Sequence, residues 1–277
     1  MNEVQSSGVG PTAELSLRVS IATLARVVFP SPEDGQPMLA LEHKATLLSG
    51  DEEVRVVVKA QPFGGAVRIL NYTRLQSVVD GFHFDSQRSR SEEDFRIYIR
   101  PSDWEAIRKF CLRNLSQEVE SDLESDPARE LVEEFEDTMG IELRPDQYRV
   151  KPVGTVLENE PAPTGNVYAS GFATVRIYRI FEAQIVDPAL CRAMVDNSQK
   201  HSSQILRSLA LDNAQKGGRG RANAMLVATV QSIRDAYLAV PPEVRSARLP
   251  FENTHLDGNV PAVLEGIFVP KYRYLRG

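Results

Sequence analysis

Leu15, Leu17, Val19, Ile21, Ala25, Val27 and Phe29 alternate with Ser16, Arg18, Ser20 and Arg26, and that period of two predicts one long strand with a buried face. Shorter strands are predicted over Met38–Glu42 and Val54–Ala60, then over Asp94–Arg100, Tyr148–Leu157 and Val167–Ile185. Helical spacing takes over elsewhere. Ser102-Asp103-Trp104-Glu105 reads as a capping box opening a helix that carries Trp104, Ile107, Cys111 and Leu115 on one face. Asp126-Pro127 opens a second helix, predicted to run from Pro127 to Thr138, with Leu131 and Phe135 as its anchors to the sheet. After Ile185 the pattern is read as helical: one helix from Asp187-Pro188 to about Leu211, and another over Ala222–Ala239 stopped by Pro241-Pro242. Residues 1–13 are polar, without period, and are expected to be disordered. The charged run Asp85–Asp94 is expected to be a mobile loop, and Glu243–Gly277 an irregular segment.

The acidic helix carries the chemistry. Arg129-Glu130-Leu131-Val132-Glu133-Glu134 sets three carboxylates at helical spacing, so Glu130, Glu133 and Glu134 share one stripe. Three carboxylates on one stripe repel, and a hard divalent cation with oxygen ligands relieves that repulsion. The bland counterpart is a solvated acidic face. Leu131 and Phe135, on the opposite side, leave the stripe expected at a cleft edge rather than in the core.

The same six residues resemble the core of the Nudix box, Gx5Ex7REUxEExGU with U a bulky aliphatic residue. Pro62-Phe63-Gly64-Gly65 is similar to the Pro-Gly-Gly that precedes the box in that family. The outer positions depart from the pattern: the first Gly falls on Leu115, the first Glu on Ser121 and the late Gly on Glu136, with Gly140-Ile141 about one turn further on. The resemblance implies an α+β fold, a Nudix-like mixed β-sheet flanked by helices, with a helical C-terminal extension. Its domain layout is a tail at 1–13, a Nudix-like domain at 14–186 with an inserted segment at about 66–125, and the extension at 187–277. It also implies a magnesium-dependent hydrolase (manganese being the other candidate ion) of a nucleoside diphosphate linked to another moiety. Glu130, Glu133 and Glu134 would be the ligands and Arg129 the residue that holds a box carboxylate, with Gly64 and Gly65 at the nucleotide. Glu120, Asp122 and Glu124 are each candidates to replace the box Glu lost at Ser121. The displaced positions and the long extension support another reading: an eroded nucleotide-sensing module that binds a protein or nucleic-acid partner, the C-terminal helices being the protein contact.

Composition narrows the class without choosing the activity. The chain has 277 residues, 42% hydrophobic and 25% charged, with a net charge of −6, which argues against a protein built mainly to coat nucleic acid. No apolar run approaches the ~18 residues that span a bilayer, so a cytoplasmic location without membrane contact is expected, and a homodimer is compatible with the sequence. Cys111 and Cys191 lack metal-type spacing and are expected to be buried free thiols. Lys216-Gly217-Gly218-Arg219-Gly220-Arg221 reads either as a phosphate-gripping turn, with Arg219 and Arg221 at the amino end of a helix, or as an exposed connection. His255 and Asp257 fit a turn better than an acid–base pair, and Tyr72 and Phe63 are candidates to stack on a base or to pack in the core.

Overall fold

The structure is a computed structural model that describes residues 15–49, 54–116, 121–158, 160–163, 169, 171–238, 254–264 and 269–276; the tail read at 1–13 lies outside them. In chain order the elements are β1 (Leu17–Pro30), β2 (Pro37–Ser49), β3 (Val54–Gln61), β4 (Phe63–Ala66), β5 (Arg68–Ile69), α1 (Tyr72–Gln76), β6 (His83–Phe84), α2 (Gln87–Ser91), β7 (Arg96–Ile99), α3 (Trp104–Leu115), β8 (Leu123–Glu124), α4 (Pro127–Met139), β9 (Tyr148–Glu158), β10 (Ala162–Pro163), β11 (Ala173–Ile185), α5 (Pro188–Lys200), α6 (Ser203–Gln215), β12 (Arg221–Thr229), α7 (Val230–Leu238), β13 (His255–Leu256) and β14 (Tyr272–Arg276). The class is α+β with a mixed sheet.

β1 is the axis of that sheet. Along one edge it pairs in parallel with β11, from Leu17 opposite Ala173 to Val28 opposite Gln184. Its other edge is shared in turn by β7, β4 and β2, all antiparallel. The period of two sends alternate β1 residues to opposite faces. Val19 and Ile21 pack with Ile107 and Cys111 of α3, and Val27 packs with Leu131 and Phe135 of α4. Leu24 faces the other way, into a cluster with Leu226, Tyr237 and Tyr272. Both faces of the sheet are therefore covered, and α4 is held on one of them.

The structure corrects five expectations. The helix read over Ala222–Ala239 is strand β12 followed by α7. β12 pairs with β2 from Arg221↔Thr46 to Thr229↔Met38, and this pairing overrides the helix propensity of its Ala, Met and Leu residues. The helix read over Pro188–Leu211 breaks at His201, where Ser202 caps a new helix by accepting from the Ile205 N–H. The extension at 187–277 is not helical alone, because β12, β13 and β14 join the main sheet through β2, β3 and β9. Asp85–Asp94 is not an open loop: Ser86 caps α2, and the Asp85 carboxylate takes two hydrogen bonds, at 2.9 and 2.6 Å, from Arg18, itself 3% exposed. The capping box at 102–105 also fails to form, since Asp103 caps α3 without a side-chain bond and Glu105 turns to Arg108. Cys111 and Cys191 are both free and buried. Among the described residues no helix is long and apolar enough to cross a membrane.

Candidate functional site

Asp126 caps α4 by accepting from the Ala128 N–H, Pro127 takes the first turn, and Gly140 ends the helix in a left-handed conformation. Leu131 and Phe135 are 1% and 0% exposed, and burying two such side chains contributes on the order of 1.5–3 kcal/mol each. Phe135 meets Phe63 of β4 with ring centroids 5.3 Å apart, which locks the helix against the strand that carries the glycine pair.

That lock brings two of the three stripe carboxylates onto Gly64-Gly65. Glu134 accepts the Gly64 N–H at 2.5 Å. Glu130 lies so close over Gly65 that a Cβ there would overlap its carboxylate, and a Cβ at Gly64 would overlap the Thr23 carbonyl. Gly64 also has φ +142°, a conformation in which only glycine is at ease. Glycine is thus required at Gly64, and at Gly65 a side chain would displace Glu130; about 60 residues of chain separate the pair from the helix without separating them in space.

The third carboxylate goes elsewhere. The side chain of Glu133 is 60% exposed and faces Arg129 at 3.4 Å. Arg129 reaches Glu130 at 2.5 Å and Glu124 at 3.6 Å, so one guanidinium serves three carboxylates. Glu134 is not at an open cleft edge, as the spacing led one to expect. Burial pushes its carboxyl well above the usual carboxylate range, the neighbouring Glu42 adds to that, and the Gly64 N–H opposes it. Burial likewise raises Glu130, against the pull of Arg129.

Two acidic residues at the site were not read from the sequence. Glu42 on β2 is 1% exposed and is held by Lys44 at 3.0 Å and Gln61 at 2.7 Å. Its signal was a carboxylate at a strand position flanked by core residues. Asp94, 6% exposed, pairs with Arg96 at 3.0 Å, and burial raises its carboxyl. It follows Glu93, whose φ of +60° is the single positive value for a non-glycine among the described residues.

Of the candidates to replace the box Glu, Glu120 lies outside the described residues. The Asp122 carboxylate accepts from the Asn71 amide, and Glu124 pairs with Arg68 and Arg129. Ser121 itself donates to the Asn114 carbonyl and accepts from the Leu123 N–H. Arg219 and Arg221 are exposed at the α6–β12 turn, and the helix whose amino end was to help them is a strand. Arg221 stands opposite Thr46, four residues along β2 from Glu42 and therefore about 13 Å away. Phe63 is core, Tyr72 packs edge-on against Phe84, and Asp257 pairs with Lys59 at 3.6 Å.

As donors, Glu42, Glu130 and Glu134 suit a hard cation by their oxygen chemistry, and Glu130 and Glu134, pushed upward by burial, would gain most from a positive charge. Each is turned onto a protein donor, however, and among the described residues no group of three His, Cys, Asp or Glu side chains is drawn together closely enough to hold an ion. No family model, no curated protein and no solved structure gives a significant match to this chain.

Proposed function

We propose that the chain is a Nudix-like, magnesium-dependent hydrolase of a nucleoside diphosphate linked to a second moiety. The observation that supports this most is the pair of carboxylates, Glu130 and Glu134, seated on Gly65 and Gly64 and pushed upward by burial. Perturbed carboxylates gathered at a backbone cradle are what acid–base and metal chemistry require.

Glu130, Glu133 and Glu134, with Glu42 beside Glu134, would hold the ion once their side chains turn from their present protein partners toward one another. When bound, it would neutralise the two phosphates and acidify a water. The chain's own residues do the rest. Arg129 holds Glu130 in place with a charge-assisted bond. The Gly64 N–H fixes the direction of Glu134. Burial raises the proton affinity of Glu134 while no ion is bound, so the ion and a proton would compete for its carboxylate.

Titration of the protein with ADP-ribose and magnesium, followed by product analysis, tests this. Binding with release of two phosphorylated fragments is the expected result. Glu133→Gln is expected to abolish turnover while changing stability by no more than about 0.5 kcal/mol, as befits an exposed position; full activity in that variant would remove Glu133 from the mechanism.

A second reading is a nucleotide-sensing module without turnover. It is favoured by Ser121, which stands at a box carboxylate position and whose hydroxyl is committed to Asn114 and Leu123. Binding of ADP-ribose without cleavage would select it.

A further inference from the structure

We propose that the cleft between the start of α4 and the free half of β9 binds a nucleobase, the neutral end of the substrate; this rests on the hydrolase reading above and gives that substrate a nucleoside with a specific seat. The cleft encloses about 530 Å³, within the range of small-molecule sites. Its lining includes Arg179, 8% exposed, with the guanidinium 5.4 Å from the centroid of the Phe181 ring, which also lines the cleft. A guanidinium stacked on an aromatic ring is a flat, polarisable surface with donors along its edge. Leu123 and Pro152 add apolar wall, and Leu70 and Val150, 57% and 37% exposed, stand at the mouth.

The backbone opens this cleft. Ile180 pairs with Gly154 but Phe181 pairs with Pro152, so β9 carries Val153 as an extra residue. Such a bulge bends the strand and re-aims its side chains. β14 covers β9 only from Gly154 to Glu158, which leaves Val150 and Pro152 beyond its reach.

Charge decides what kind of ligand fits. The charges along its wall are already balanced within the protein: Glu124 pairs with Arg68 and Arg129, the Asp126 carboxylate accepts the Ala128 N–H, and Arg179 donates to the Thr155 hydroxyl. A neutral head fits a wall whose charges are already paired better than an ionic one does. A neutral heteroaromatic ring satisfies both sides, with amino or ring N–H groups toward the carboxylates and a carbonyl or ring nitrogen toward Arg179. The phosphates have their own route. Glu124 is linked to Arg129 at 3.6 Å and Arg129 to Glu130 at 2.5 Å, so the rim of the cleft runs into the carboxylates at the glycine pair.

The test uses the full chain in chelator, with adenosine, guanosine, cytidine and uridine as probes, alongside inorganic pyrophosphate with magnesium. At least one nucleoside is expected to bind without metal. Val150→Trp, at an exposed position, is expected to weaken that binding by about tenfold or more, with an unchanged melting curve and unchanged pyrophosphate binding. Failure of all four nucleosides to bind, or equal nucleoside affinity in Val150→Trp, would overturn the proposal. Nucleoside binding that persists when pyrophosphate does not bind would support the cleft and overturn the hydrolase reading alone.

Discussion

Gly64 and Gly65 sit next to each other yet oppose a side chain for different reasons, and substitution separates the two. At Gly64 both the positive φ and the Thr23 carbonyl oppose a side chain, and backbone cannot step aside. Gly64→Ala is expected to cost about 3 kcal/mol or more in chemical denaturation. At Gly65 the obstacle is the Glu130 carboxylate, the far end of a flexible side chain. Gly65→Ala is expected to cost only about 1 kcal/mol while displacing Glu130, so the hydrolysis proposed above would fall far more than stability. Glu134 allows a test by pH. Its folded pKa is raised, so its contribution to stability is complete below the ordinary carboxylate value and is lost as pH rises through the folded value. In chelator, Glu134→Gln is expected to raise the melting temperature at pH 7.5 and to change it little at pH 4. An equal shift at both pH values would show that Glu134 is not held neutral by its surroundings. Glu130, Glu134, Gly64 and Gly65 were legible because short spacing within a helix and within a turn places them. Glu42 and Asp94 were not, since what places them is sheet pairing and the docking of the segment between β4 and α4.

At the level of elements, α4 follows its sequence signals closely: cap, proline, two anchors and a terminating glycine all act locally. β12 does not, because its conformation is decided by a partner strand distant in the chain. Its contacts with α5 show how the fold accommodates it, since Asn197 and Ser198 accept the Met225 and Val227 N–H groups on the side away from β2. β2, α6 and the segment at 254 are tied together by a buried polar cluster. His43 Nε2 lies 3.0 Å from the Thr254 hydroxyl and 3.4 Å from that of Ser203, and those two hydroxyls are 2.7 Å apart. Burial lowers His43 from 6.5 to about 4. The unfolded chain therefore takes up a proton first as pH falls, and stability present above about pH 6.5 is lost on the way to about pH 4, by up to ~3 kcal/mol. His43→Gln is expected to flatten that part of the stability–pH profile, and an undiminished slope in the variant would assign acid sensitivity to other groups.

For the whole molecule, the decisive fact is that the last quarter of the chain completes the sheet. Leu226, Ile233, Tyr237, Val260 and Tyr272 make up much of the cluster that covers the face of β1 opposite α4. A chain ending at Val186 would leave that face open to water, and it is expected to show no cooperative thermal transition. A sharp two-state melt of residues 1–186 would establish the extension as dispensable for folding. The sequence alone determined what depends on neighbours a few residues apart: the long alternation of β1, the capped acidic helix, the glycine pair and the burial of both cysteines, because period, caps and turn conformations are local properties. Only the tertiary structure decided which carboxylates meet, that Glu133 turns outward while Glu42 lies beside Glu134, that residues 221–229 form a strand, and that a cleft opens beside Arg179. Those outcomes depend on pairings between distant segments, in which burial and hydrogen bonding across the sheet outweigh local preference.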